Sequence, residues 1–420
     1  MKGLPGFRDF YPEPVPTPDS WSLDLRRYIF DKWRGTAERY GFREYDGPPI
    51  EELELYTQKS GEEIVGQLYN FADKGDRNVS LRPEMTPTLA RMAAAHTRNY
   101  KKPIKWFSIP QLFRYERQQK GRLREHFQLN ADVLGEEHLA ADAELIALLI
   151  DTLRDLKLAS DDFVIRLSSR CAWQEFFENG GGKDSDAYDF YQIVDKLERE
   201  DPTVSGERLA KLGFSYDQVN DFIEGGQPTD ELSTIIGNIE ARGLGDFIKL
   251  DYRIIRGLAY YTGPVYEAFD KRGKFRAIAG GGRYDHLVKL VSGSKTDLPA
   301  LGFGMGDVVL AELLKDRGLL PPLGQLLDAF VQITDEALRD ASLGLVQQLR
   351  QAGLATEYPL LKAKPDKQFK RALELKAKWL ITLQDDSQAT IKNLETREEQ
   401  SCTITKAPGL VRYDSIRAPT

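Results

Sequence analysis

The sequence predicts an α+β chain in two units, and three observations carry that prediction. Two extended runs, Ile104 to Tyr115 and Arg124 to Val133, flank a charged loop around Gly121 and read as an antiparallel hairpin. Between about Leu167 and Ile248 the strand pattern gives way to helical periodicity with charged faces, opened by the cluster Gly180–Gly182. After the stretch LLPPLGQ, a linker signal, strands and helices alternate to the end, as in a small α/β unit with a largely parallel sheet. The expected division is 1–325, with a helical insertion at about 168–245, and 326–420. A chain of 420 residues is too long for one ordinary core, so more than one domain is the default.

In chain order, Thr17 and Pro18 predict the start of a first helix. Trp21, Leu25, Tyr28, Ile29 and Trp33 form its apolar stripe and Gly41 ends it. An extended stretch follows from Phe42 to Leu55, containing Pro48 and Pro49. Turn residues 73–78 lead into Val79–Met85. After the hairpin, Ala143, Ile146, Ile150 and Leu153 mark a helix over roughly Glu136–Leu156. Beyond the insertion, Phe247–Ile255 and Leu301–Phe303 read as strands. The last unit reads as strand Ala329–Ile333, helix Glu336–Gln351, strand Ala355–Tyr358, helix Pro365–Ala377, and strands Trp379–Leu383 and Ala389–Ile391.

Composition excludes several function classes. Two cysteines, Cys171 and Cys402, without a CxxC, give no disulfide framework and no cysteine-rich zinc site. The four histidines lack HExxH spacing, so no metal site is expected. No apolar run reaches the ~20 residues that span a bilayer. The first residues carry neither a signal core nor a transit composition, so a cytoplasmic protein without membrane contact is expected. A net charge of −7 argues against nonspecific coating of nucleic acid; any nucleic-acid contact must use local basic patches.

The most informative stretch is Phe113–Gln128, FRYERQQKGRLREHFQ, with Arg114, Arg117, Lys120, Arg122 and Arg124 beside Glu116. Arginines at the end of a strand can clamp phosphate oxygens with paired donors. On charge alone, a solvated hairpin turn is the better explanation of the stretch. Two more segments stand out, RGLAYYTGPVYE (Arg256–Glu267) and AGGGRYDHL (Ala279–Leu287). Adjacent tyrosines can wall a pocket, and a glycine triplet admits close backbone approach to a ligand; a core strand with a tight turn is the plainer alternative. No GxxxxGK[ST] loop is present. A third segment, Lys362–Lys378, carries seven basic and two acidic residues, net +5.

The FRxE–loop–RxxxFxQ pattern, with Arg114, Glu116, Arg124, Phe127 and Gln128, resembles the class II aminoacyl-tRNA synthetases. Pro48-Pro49-Ile50-Glu51 is similar to that class's dimer-interface motif. RGLAYYTG, AGGGRYDHL and LRPEMT (Leu81–Thr86) together resemble the histidyl-tRNA synthetases over nearly the whole chain, from Gly6-Phe7-Arg8-Asp9 onward. The resemblance implies a central antiparallel sheet flanked by helices and a C-terminal anticodon-binding domain. It implies the substrates L-histidine, ATP accompanied by Mg²⁺, and tRNA(His), with no tightly bound prosthetic group, and a homodimer joined through Phe42–Glu51.

It also implies roles. Glu84 and Thr86, assisted by Gln128, would hold the substrate ammonium. Asp132 and Tyr261 would bond the imidazole, with Tyr260 beside them. Arg114 would bind the α-phosphate, Glu116 the adenine amino group and Arg122 the outer phosphates. Arg256 would stabilise charge on the α-phosphate, making Arg256 and Arg114 the expected catalytic pair. Three positions depart from the family's usual pattern. Asp132 stands where many members have glutamate, Ala259 where most have aspartate, and Val309 where an arginine stacks on adenine. Arg283, next to the glycine triplet, is the expected substitute on the nucleotide. The competing expectation is the non-catalytic regulatory paralogue of ATP phosphoribosyltransferase, which lacks the anticodon domain.

Overall fold

The computed structural model describes residues 3–12, 15–17, 20–57, 66–116, 121–198, 200–255, 260–321, 323–324 and 327–411. They fall into two compact units, 1–321 and 322–420.

In the first unit, the opening helix starts later than its local signals suggest. Ser20–Ser22 (β2) pairs in parallel with Asp9–Tyr11 (β1), so the chain is still extended beyond Thr17. Ser22 rather than Thr17 caps helix α1 (Leu23–Arg39), its side chain accepting from the Leu25 amide at 3.1 Å. The apolar stripe buries Leu25, Ile29 and Trp33 as its spacing requires.

The central sheet is built from β3 (Arg43–Glu44), β7 (Ile104–Ser108), β8 (Gln111–Phe113), β9 (Glu125–Leu134), β10 (Phe163–Ser169), β11 (Ile248–Leu250), β12 (Pro264–Asp270), β13 (Ala279–Arg283) and β14 (Ala300–Gly306). A separate small sheet holds β4 (Ile50–Glu52), β5 (Asn70–Ala72) and β6 (Asn78–Leu81). The order across the central sheet is β11-β10-β12-β13-β14-β9-β7-β3, with β8 also on β9. All ladders are antiparallel except the two at the edges, β10–β11 and β3–β7. The sheet is therefore mixed, not purely antiparallel. The expected single run Ile104–Tyr115 is two strands, with Ile109 and Pro110 between them, because proline cannot donate into a ladder. Phe247–Ile255 yields only the three residues of β11.

Thr86–His96 (α2) follows the LRPEMT turn. Ala140–Asp155 (α3) packs against β9 and β14 with an almost wholly apolar face. Among the described residues, five α-helices, α4 (Arg170–Asn179), α5 (Ala187–Val194), α6 (Pro202–Lys211), α7 (Tyr216–Gly225) and α8 (Asp230–Ala241), fill the segment between β10 and β11. Their aromatic core is centred on Trp173, Phe177, Phe190 and Phe214. Among the described residues no helix is long and apolar enough to cross a membrane.

In the second unit a five-stranded sheet runs β16 (Thr356–Glu357), β15 (Ala329–Gln332), β17 (Trp379–Leu383), β18 (Gln388–Asn393), β19 (Glu399–Thr403). Two of its ladders are parallel and two antiparallel, so the expected largely parallel sheet is half so. Buried Gln368, from helix α9 (Pro365–Glu374), both accepts from the Ile333 amide at 2.9 Å and donates to the Ile333 carbonyl at 2.7 Å. It thereby satisfies the backbone where β15 ends.

The first unit is closed by one buried charge cluster. Arg8 donates from Nε to Glu125 at 2.5 Å and from Nη1 to Asp307 at 2.8 Å, and Asp307 also accepts the Phe127 amide at 3.0 Å. This ties the N-terminal segment to β9 and to the helix following β14. Burial pushes the Asp307 carboxyl above the usual range even with Arg8 beside it. Arg8→Ala would strand two buried carboxylates, and the expected loss is about 3–5 kcal/mol in denaturant unfolding. Arg8→Lys, with one ammonium for two partners, should fall between. A loss under about 1 kcal/mol would mean that desolvation cancels the cluster's attraction.

Candidate active site

The site begins with the parity of β9. Gln128, Asn130 and Asp132 alternate onto one sheet face, while Leu129, Ala131 and Val133 fill the other against α3. Opposite them on β14, Gly302 pairs with Asp132 and Gly304 with Asn130. A Cβ added at Gly302 would lie 1.9 Å from Asp132 Oδ1, and one at Gly304 would lie 1.7 Å from Gln128 Nε2. The absence of side chains at Gly302 and Gly304 is what gives these polar groups room.

The remaining walls come from loops. Arg82, buried, donates to the Gly47 and Gln111 carbonyls at 2.7 and 3.0 Å and to Asp46 at 3.0 Å. It fixes the elbow between β6 and α2 that carries Glu84 and Thr86. Arg114 closes the same elbow, donating from Nε to the Pro83 carbonyl at 2.9 Å. Tyr260 Oη donates to Glu84 Oε2 at 3.1 Å, and Tyr284 Oη donates to Asp132 Oδ1 at 2.5 Å. The result is one cavity lined by Glu84, Thr86, Arg114, Gln128, Asn130, Asp132, Tyr260, Tyr261 and Tyr284 over Gly280, Gly302, Phe303 and Gly304.

Burial dominates its electrostatics. Desolvation pushes the Asp132 carboxyl up to about 7, while the bond from Tyr284 acts the other way. Asp132 Oδ2 has no hydrogen-bond partner among the described residues, so one carboxylate oxygen is left for a ligand. His126, on the same face of β9, is held down at about 3 by burial and then by Arg114 and Arg8, so it stays neutral.

Of the residues expected from sequence, Glu84, Thr86, Arg114, Gln128, Asp132, Tyr260 and Tyr261 come together in this cavity. Glu116 and Arg122 lie outside it and pair with each other at 2.5 Å, Glu116 buried and Arg122 partly exposed. Arg256 and Ala259 lie outside the described residues. Arg283 is a correction. It faces away from Gly280 and Gly282, is buried, and is bonded to Asp142 of α3, to the Glu136 carbonyl and to Asp285. One residue's difference in strand parity turns it from the cavity into a core ion pair, and it offers no guanidinium to a nucleotide. Val309 lies against the hairpin turn, where a Cβ on Gly121 would be 3.5 Å from its Cγ2. Sequence reasoning missed Asn130, which the period of two from Gln128 to Asp132 could have supplied, and Tyr284, which lies inside AGGGRYDHL. It also missed the clearance at Gly302 and Gly304, which requires the β9–β14 register.

Residues 22–307 match the family model described as Histidyl-tRNA synthetase, and 327–413 match the model Anticodon binding domain. A protein of Opitutus terrae named Histidine–tRNA ligase is 42% identical, covering 98% of each chain. One of Arabidopsis thaliana, named Histidine–tRNA ligase, chloroplastic/mitochondrial, is 37% identical over 94% of this chain and 83% of its own. Among solved structures, the histidyl-tRNA synthetase of a Nostoc species has a TM-score of 0.80 at 24% identity, covering 98% of each chain, and shows a shared fold.

If the Tyr284 bond is what restrains the Asp132 carboxyl, Tyr284→Phe should raise its midpoint above about 7, leaving less carboxylate at neutral pH. The protonated-carboxyl stretch, isolated by infrared difference against Asp132→Asn, reads this directly. An unmoved midpoint would show that burial alone sets it.

Proposed function

The chain belongs to the histidyl-tRNA synthetase family, and from that premise we propose how its residues divide the work of joining L-histidine to tRNA(His). It is a histidine–tRNA ligase: histidine is activated with ATP to histidyl-adenylate and pyrophosphate, then transferred to tRNA. One observation carries the site assignment: a single small cavity lined by two carboxylates, Glu84 and Asp132, and one arginine, Arg114. Histidine presents two donor groups to match the carboxylates, its ammonium and a ring N–H, and Arg114 stands at the anionic end, where the substrate carboxylate meets the α-phosphate.

Glu84, with Thr86 and Gln128, holds the ammonium, for which a carboxylate is electrostatically required. Asp132 accepts the ring N–H and Tyr261 bonds the second ring nitrogen. A side chain without a ring N–H leaves the buried Asp132 Oδ2 without a donor and is rejected on that ground. Arg114 and Arg256 hold the α-phosphate while the substrate carboxylate attacks phosphorus and pyrophosphate departs. Glu116 takes the adenine amino group and Arg122 the outer phosphates, with Mg²⁺ arriving as part of the ATP complex. The contribution of these groups is orientation and fixed charge.

On the C-terminal unit, exposed Lys362, Lys364, Lys367, Lys370 and Arg371 lie among exposed Leu360, Leu361 and Phe369, a combination suited to RNA backbone and unstacked bases. The match of 327–413 to an anticodon-binding model opposes the regulatory reading. Exposed Ile50 and Phe71 on the small sheet support a homodimer through Phe42–Glu51. We place the enzyme in the cytoplasm.

Pyrophosphate exchange into ATP should occur with histidine and with no other amino acid. Arg256→Ala should slow it on the order of a hundredfold with little change in histidine affinity. Exchange with another amino acid, or with none, would remove the assignment. Separately, Lys367→Glu with Lys370→Glu should leave exchange intact and lower kcat/KM for tRNA at least tenfold, more at low salt. Normal charging would make that helix face merely solvated.

A further inference from the structure

Asp132 Oδ2 is one of four buried polar atoms grouped on the cavity's sheet face that complete no hydrogen bond among the described residues. The others are Tyr45 Oη, Ser108 Oγ and Asn130 Oδ1. Strand register explains the grouping. Ser108 stands opposite Asn130, and Trp106 opposite Asp132, across β7 and β9. Glu44 pairs with Phe107 across β3 and β7, and the Tyr45 amide donates to the Phe107 carbonyl at 2.9 Å, so Tyr45 comes level with Ser108. Asn130 pairs with Gly304 and Gly304 with Gly280. One lateral row therefore runs Tyr45, Ser108, Asn130, Gly304, Gly280, from the sheet edge to the glycine floor of the histidine cavity.

Tyr45 is fixed within this row. Its ring packs on Trp106 with centroids 5.6 Å apart. Its hydroxyl lies close enough to interact with Ser108, short of a well-formed bond, and feels the charge of Asp132. Burial raises its pKa well above the ordinary tyrosine value, so it keeps its proton and acts as a donor. A phenylalanine would fill the same space without burying an unsatisfied hydroxyl, and an alanine at 108 would do the same. Two such hydroxyls side by side, next to a carboxylate with a free oxygen, make a polar device whose partner arrives with the ligand.

We propose that Tyr45, acting with Ser108, is a positioning residue for ring recognition. When the imidazole N–H engages Asp132, the hydroxyl row closes on the carboxylate, directly or through one water, and holds the orientation that presents Oδ2. This rests on the assignment of the cavity to histidine. It adds to that assignment a group that never touches the substrate.

The test is histidine-dependent pyrophosphate exchange, with histidine and ATP varied separately, on full-length wild type, Tyr45→Phe, Ser108→Ala and the double variant. Tyr45→Phe should raise the histidine KM about fivefold, the effect of one neutral hydrogen bond, with kcat and the ATP KM within about twofold. Its melting temperature should not fall, because only an unsatisfied hydroxyl is removed. The double variant should be little worse than the poorer single one, since the two hydroxyls act as a unit. An unchanged histidine KM in both single variants overturns the proposal. So does a parallel loss of kcat, both KM values and melting temperature, which would mark Tyr45 as packing alone. If Tyr45→Phe fails to fold, Ser108→Ala decides by the same readouts. Wild type without histidine-dependent exchange would instead remove the cavity assignment beneath it.

Discussion

The polar side chains of β9 can stand on a buried sheet face because the strand on one side of them, β14, carries hydrogen at Gly302 and Gly304 where side chains would be. A polar group taken from water without a partner costs roughly 2–7 kcal/mol, depending on the reference state, so three in succession on a core strand would ordinarily be disfavoured. Here Gly302 and Gly304 give Asp132 and Gln128 their space, and Tyr284 gives Asp132 a partner. Everything else in the cavity is arranged around that clearance. The elbow carrying Glu84 is pinned by Arg82 and Arg114, and its carboxylate is met by Tyr260 from across the cavity. On the roles proposed for Glu84 and Asp132, specificity for a substrate with two donors follows from where β14 lacks side chains.

The same strand is anchored at its start by the Arg8 cluster. Glu125 opens β9 and Asp307 opens the helix after β14, so one guanidinium sets the relative placement of the two strands whose clearance matters. A slip of one residue between them would send every polar group to the face covered by α3. The charge cluster thus acts as a register pin, the use for which buried ion pairs are best suited.

Much of this was legible in the sequence, and what was not has a physical reason. The run Arg124–Val133 sits within one residue of β9, and Trp379–Leu383 coincides with β17, because alternation and β-branched residues report strands directly. The start of α1 differs from the expectation because Thr17-Pro18 is the stronger local cap signal, whereas Ser22 wins through the pairing of β2 with a strand some eleven residues earlier. The C-terminal sheet is less parallel than expected because β19 gives no distinct sequence signal and the turn at Asp385 returns β18 antiparallel to β17. Arg283 shows the limit most clearly. Parity separates it from Gly280 and Gly282, yet nothing local says which face holds the cavity. Tyr45, Ser108 and Asn130 are far apart along the chain and form a row only once three strands are in register.

The Glu116–Arg122 pair bears on how a nucleotide is admitted. Glu116 is nearly sealed from water, while Arg122 remains partly open to it. A phosphate that draws the guanidinium away leaves a buried carboxylate uncompensated, a state that persists only if another donor replaces it. In the roles proposed above, that donor is the amino group of adenine, brought by the same molecule. Entry of ATP is then an exchange of partners rather than capture by idle cations. Recognition of the base and grip on the phosphates become a single coupled event. In those proposed roles, a polyphosphate without the amino group would take the arginine only by stranding the glutamate, and the hairpin would favour a nucleotide over its fragments.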